Sequence, residues 1–173
     1  MLVIGQAEEK CSAAFGETSL LYVKCIDQRA LIYNYQRKYA DAEMLLLRER
    51  TIIEPILGKE HPLYASCLQS LGLLYVYMGD YAKTEPLYQE ALRIREKVLG
   101  KEHRDYVYLL YNLGTLYMYM GEHPKAEVVF LEVLPLQEKV WGRIHPQYAF
   151  TLDELASIYQ EIGDYHKSEK HYL

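Results

Sequence analysis

Apolar residues recur at helical spacing along most of the chain. Between Pro62 and Met78, the residues Leu63, Leu68, Leu71, Leu74, Tyr75 and Met78 fall close to the i, i+3, i+4, i+7 pattern of an amphipathic helix. Pro62 suits the first turn, where its missing N–H costs nothing, and His61 or Glu60 stands near the cap position. Gly79 closes the segment, because a left-handed terminal residue is cheapest without a Cβ. Asp80 is then a natural N-cap for a second helix carrying Tyr81, Ala82, Leu87, Tyr88, Ala91, Leu92, Ile94, Val98 and Leu99, which Gly100 ends. The pattern predicts a hairpin of two helices, each of roughly 16 to 20 residues, and no strand.

The hairpin repeats. Gly16, Gly58, Gly100 and Gly142 stand 42 residues apart, as do Tyr22, Tyr64, Tyr106 and Tyr148, then Tyr33, Tyr75, Tyr117 and Tyr159, then Glu43, Glu85, Glu127 and Glu169. A further column, Gly79, Gly121 and Gly163, is broken at Arg37. A fixed period of this size marks a solenoid, in which each unit buries its apolar face only against its neighbours. The expected fold is therefore all-α, an α-solenoid of helical hairpins. The expected organisation is one continuous domain: residues 1–16 as the second helix of a preceding repeat, then repeats at 17–58, 59–100, 101–142 and a truncated 143–173. Solenoids need polar caps on their end faces. A chain that begins and ends inside a repeat is expected to be a piece of a longer array or of a larger multidomain protein, and its uncapped ends offer a route to self-association. Ala30, Gly72, Gly114 and Ala156 form a column of small residues where neighbouring helices must come close. Pro55, Pro86 and Pro135 fall inside second helices, at different places in the repeat, and predict local kinks.

Composition narrows the function. Half of the 173 residues are hydrophobic and a quarter charged, as in a folded protein. The net charge is −5 without any Lys or Arg block, which argues against nucleic acid, since phosphate binding needs a concentrated cationic footprint. Cys11, Cys25 and Cys67 cannot all pair with one another and show no C-x-x-C spacing, so reduced thiols in the cytoplasm are expected. No stretch approaches the ~20 apolar residues needed to cross a bilayer, so no membrane role is expected. His61, His103 and His145 repeat at the same period, too far apart to converge on one metal ion, and are expected as loop and cap residues. The Glu column is expected to make one polar contact per repeat. No catalytic motif or phosphate-binding Gly loop occurs, so neither an enzyme, a metal site nor a cofactor is expected. Tyrosine is the outlier, with 18 Tyr against 3 Phe and 1 Trp, and most of it sits in the repeat columns.

The segments Leu71-Gly72-x-x-Tyr75 and Tyr111-Asn112-Leu113-Gly114-x-x-Tyr117, with the Gly-Asp-Tyr turns at Gly79 and Gly163, resemble the tetratricopeptide repeat (TPR), whose usual unit is about 34 residues. The longer period, with Leu99-Gly100-Lys101-Glu102-His103 between units, is similar to the kinesin light chain subtype and its bacterial relatives. The resemblance implies a right-handed superhelix whose first helices line a concave face. It also implies a scaffold that binds a protein or peptide there. An alternative is a regulatory or sensor arm of a larger protein, for example one with a caspase-like protease or ATPase domain, docking in cis.

On that resemblance the groove positions are Lys24, Asp27, Gln28 and Leu31, then Ser66, Gln69, Ser70 and Leu73, then Tyr108, Tyr111, Asn112 and Thr115, then Phe150, Asp153, Glu154 and Ser157. One turn further lie Tyr35, Val76, Tyr77, Met118, Tyr119 and Gln160. Tyr77, Tyr108, Tyr111 and Tyr119 form a candidate aromatic floor, or else pad the interface between adjacent first helices. Asn112 matches the Asn that in this family hydrogen-bonds a bound peptide backbone; Gln28, Ser70 and Glu154 replace it in the other repeats. The cationic carboxylate clamp of chaperone-binding relatives is missing, since its places hold Ser66, Tyr108 and Phe150, with only Lys24 basic. Asp153, Glu154 and Glu161 make the last repeat acidic, so a partner with Lys or Arg at that end is expected. The partner-binding set is therefore Gln69, Leu73, Tyr77, Tyr108, Tyr111, Asn112, Thr115, Tyr119, Asp153 and Glu154.

Overall fold

The computed structural model describes residues 19–163 together with Lys10, Ala13 and Gly16. Expectations resting on Cys11, Tyr165, Glu169 and the two chain ends lie outside the described residues. Among the described residues there are seven helices and no strand: α1 (Leu20–Tyr35), α2 (Tyr39–Leu57), α3 (Pro62–Met78), α4 (Tyr81–Leu99), α5 (Arg104–Tyr119), α6 (His123–Trp141) and α7 (Pro146–Glu161). First helices of 16 or 17 residues alternate with second helices of 19. Each second helix runs through its interior proline, Pro55, Pro86 or Pro135.

The helices group into two compact units, Met1–Ile94 and Arg95–Leu173. In the first, α2 packs on both α1 and α3, and α1 touches α3. Tyr22, Ile26, Ile53, Leu71, Leu74 and Tyr88 are buried there. In the second, α6 packs on both α5 and α7, around Leu109, Leu116, Phe130, Leu155 and Ile158.

The helix ends follow from residue chemistry. His61, His103 and His145 are N-caps: in each, imidazole Nδ1 accepts a hydrogen bond from the second backbone N–H beyond it, Leu63 N at 3.1 Å, Asp105 N at 3.2 Å and Gln147 N at 3.2 Å. Their recurrence is thus capping, which satisfies an N–H left orphaned by the first turn. Asp80 Oδ1 likewise accepts from Lys83 N. After α3, Gly79 takes φ 75°, with Gly79 N bonded to Val76 O and Asp80 N to Tyr75 O. Arg37, which breaks the glycine column, keeps the same turn at φ 59°, with Arg37 N on Asn34 O and Lys38 N on Tyr33 O. The backbone bonds impose the left-handed conformation even where a Cβ makes it costly.

The small-residue column is a packing requirement. A Cβ on Gly114 would lie 2.6 Å from the Phe130 ring, and one on Gly72 would strike the Tyr88 ring. The same approach lets Thr84 Oγ1 donate to Gly72 O at 3.2 Å. Ala30 and Ala156, at the other two positions, are buried.

The glutamate column meets the tyrosine column. Tyr75 Oη donates to Glu43 Oε1 at 2.5 Å, and Tyr159 Oη donates to Glu127 Oε1 at 2.8 Å, each pair separated by 32 residues. A tyrosine on one first helix is thereby tied to the preceding second helix. Burial and the Glu43 carboxylate push the Tyr75 hydroxyl up to about 12, so it stays a donor.

Candidate functional site

The first-helix face of the second unit is aromatic. Tyr108 and Tyr119 of α5 and Phe150 of α7 are 46%, 58% and 56% exposed. Tyr111 is half-buried: its ring packs against Phe130 of α6 with centroids 5.6 Å apart, and its hydroxyl donates to Glu154 Oε1 of α7 at 3.4 Å. Burial, then the Glu154 charge, raises that hydroxyl to about 12. Tyr111 therefore joins three helices. Thr115 Oγ1 donates to Tyr111 O in the same turn, and Asn112 is half-buried beside it.

Acidity in α7 is divided. Asp153 is exposed, whereas Glu154 is half-buried and its carboxyl is held above the usual range, mainly by burial. Glu161 Oε2 lies 2.9 Å from His123 Nε2.

The first unit presents a different face. Gln69 and Leu73 are half-buried on α3, while Tyr77 and Tyr35 are exposed at the ends of α3 and α1. Ser70 Oγ donates to Asp27 Oδ1 of α1 at 3.1 Å. Small polar side chains leave space here. A cavity of about 270 Å³ is bordered by Lys24, Asp27, Gln28, Glu49, Ser66 and Ser70. A smaller one of about 90 Å³ shares Asp27 and Ser70 and reaches Asn34, whose buried Oδ1 has no partner.

Glu49 is absent from the positions that the sequence singles out. It comes from α2, is 4% exposed, and its Oε2 has no hydrogen-bond partner. Two signals point to it: Leu45, Ile52 and Ile53 put it on the buried stripe of α2, and its repeat equivalents are the core residues Ala91 and Val133. Burial, reinforced by the Asp27 charge, pushes its carboxyl up to about 8. The Cys67 thiol nearby is buried, donates to Leu46 O, and is held neutral by burial. Neither Cys25 nor Cys67 is in a disulfide. Among the described residues no group of three His, Cys, Asp or Glu could hold a metal ion, and no helix is long and apolar enough to cross a membrane.

A family model described as tetratricopeptide repeat matches residues 20–97, 75–139 and 106–173, so the hairpins and the turns between them both fall inside it. The chain belongs to the tetratricopeptide repeat family. Its fold is that of solved TPR solenoids. One is a Podosopora anserina protein described as a putative kinesin light chain with nearly identical TPR-like repeats, 21% identical, with a TM-score of 0.81 over 99% of this chain and 81% of that one. Another is BtubC (BKLC) from P. vanneervenii, 20% identical, with a TM-score of 0.84 over 98% of this chain and 70% of that one. A third is a Rap protein solved in complex with Competence and Sporulation Factor, 14% identical, with a TM-score of 0.68 over 98% of this chain and 55% of that one. None of the curated proteins compared with this TPR chain matches it.

Proposed function

We propose that this TPR chain is a non-enzymatic protein-interaction module that takes an extended peptide or a partner helix on its first-helix faces. The observation that carries this is the exposure of Tyr108, Tyr119 and Phe150 on first helices of one unit. Large aromatic rings supply contact area at low conformational-entropy cost, and they concentrate binding energy at interfaces. The Rap structure supports the general role, since that protein was solved with a bound factor. The exposed Asp153 favours a partner with a basic residue near α7.

Tyr108 and Tyr119 are better probes than Tyr111, because truncating Tyr111 would also strip packing from Phe130. A peptide selected from a displayed library is titrated against the parent chain, a Tyr108→Ala/Tyr119→Ala variant, and Val128→Ala, a control at an exposed second-helix position. The double variant should lose at least about 1 kcal/mol of affinity with helicity intact, and the control nothing. Unchanged affinity in the double variant, or equal loss in the control, removes the proposal.

A further inference from the structure

The cavity bordered by α1, α2 and α3 holds two acids, Asp27 and Glu49, and the repeat itself does not need the second. At the Glu49 position the next two repeats carry Ala91 and Val133, both fully buried. At the Asp27 position they carry Gln69 and Tyr111. An apolar side chain thus satisfies the packing that Glu49 occupies. A buried carboxyl oxygen without a partner is costly, and Glu49, whose Oε2 is such an atom, lines the cavity.

We propose that this cavity receives an organic cation, the ammonium head of a lysine side chain from a partner protein, between the carboxylates of Glu49 and Asp27. The chemistry selects the ligand by elimination. Two carboxylates repel an anion. Among the described residues no group of three His, Cys, Asp or Glu could hold a metal ion, and about 270 Å³ is far larger than an ion. That volume is too small for a drug-sized ligand and suits one extended side chain. Val23 and Leu63 also border it, giving the methylene stem an apolar wall. Acids on separate helices fit a compact charge with rotatable donors better than a planar guanidinium fork.

The surrounding charges fit uptake coupled to proton release. Asp27 and Lys24 face the cavity from α1, and Glu49 and Ser70 from α2 and α3. The neutral Cys67 thiol nearby feels the charges of Glu49, Arg50 and Asp27. Burial holds both acids above their ordinary range. Glu49 is therefore largely protonated at neutral pH in the empty cavity, and an arriving ammonium displaces that proton. Lys24 is exposed and, among the described residues, pairs with neither acid.

The proposal rests on the first-helix recognition role only for the source of the lysine, and its test uses no selected peptide, so either can fail alone. The full chain is titrated by heteronuclear NMR with N-acetyl-lysine methylamide, its neutral isostere N-acetyl-norleucine methylamide, and n-butylammonium. The expected result is saturable binding of the lysine derivative, centred on α1–α3 amides and absent for norleucine. Its affinity should climb by up to about tenfold per pH unit towards pH 8. It should fall at least tenfold in Glu49→Gln and in Asp27→Asn, and rise severalfold in Lys24→Met. Glu49→Val, which imports the residue found at 133, guards against misfolding as the cause of a loss. The proposal is overturned by no saturable binding, by binding that survives Glu49→Gln, or by equal binding of norleucine. The n-butylammonium ion, which carries the same stem and head, should bind with similar affinity, and a lysine derivative whose binding n-butylammonium does not compete with overturns the proposal. Binding that appears only in Lys24→Met shows that Lys24 itself fills the cavity, and overturns it too.

Discussion

In the first unit Ser70 of α3 donates to Asp27 of α1, and in the second Tyr111 of α5 donates to Glu154 of α7. Both pairs span 43 residues, one repeat plus one position, so the same step between neighbouring first helices is bridged in both units. The roles are reversed: the acid stands on the earlier helix in one unit and on the later helix in the other. The sizes differ as well. Serine and aspartate leave a cavity that reaches the buried Glu49, whereas tyrosine fills the equivalent step and lays its ring on Phe130. The same repeat thus carries an acid-lined cavity in one unit and exposed aromatic rings in the other. The contact between hairpins is common; the side chains that make it decide what each face presents.

The largest test of that contrast is pH. Glu49 has its folded-state pKa raised from 4.5 to about 8, so the folded chain holds more protons than the unfolded chain between those values. Stability from this group is full below pH 4.5 and falls as pH rises towards 8. Glu49→Val should remove that slope and gain roughly 4 kcal/mol at pH 8.5 relative to its effect at pH 4.5, because each tenfold change in proton affinity on folding is worth about 1.4 kcal/mol. Urea denaturation at the two pH values measures it, and identical slopes in parent and variant would erase the buried-acid half of the comparison.

What the units share is tested next. Gly72→Leu and Gly114→Leu should each cost about 3 kcal/mol by driving a Cβ into Tyr88 or Phe130, with a lower and broader thermal transition. Tolerance in one unit alone would mean that the hairpins do not close alike. A smaller effect separates the bridges. Ser70→Ala and Tyr111→Phe should each cost about 1 kcal/mol, the worth of a partly buried hydrogen bond, while Tyr111→Phe keeps the ring on Phe130. Chemical denaturation of both variants reads that loss. Smallest is Arg37→Gly, which should stabilise the first unit by roughly 0.5 kcal/mol by relieving a left-handed residue, as read by a shift in the denaturation midpoint.

Features tied to one repeat position are legible in the sequence. The glycine at 79, the cap at Asp80 and the histidines at 61, 103 and 145 act through atoms within a few residues, so local spacing reveals them. The close approach at Gly72 and Gly114 is also visible, as a column of small residues. Contacts offset from the period are hidden. Tyr75 with Glu43, and Ser70 with Asp27, join different columns at separations of 32 and 43, and no single column announces its partner. Glu49 escapes notice because a glutamate in an amphipathic helix reads as solvated until its neighbours Leu45, Ile52 and Ile53 are weighed against it. Arg37 reads as a break in a glycine column, yet the turn persists because backbone bonds hold it.

Amide hydrogen exchange of the full chain, with and without a library-selected peptide, locates the docking surface most directly. Added protection should concentrate in α5 and α7 around Tyr108, Tyr119 and Phe150, with the exposed stripe of α6 at Val128 and Leu131 unchanged. Protection confined to α6, with α5 and α7 unaltered, would contradict recognition on the first-helix face.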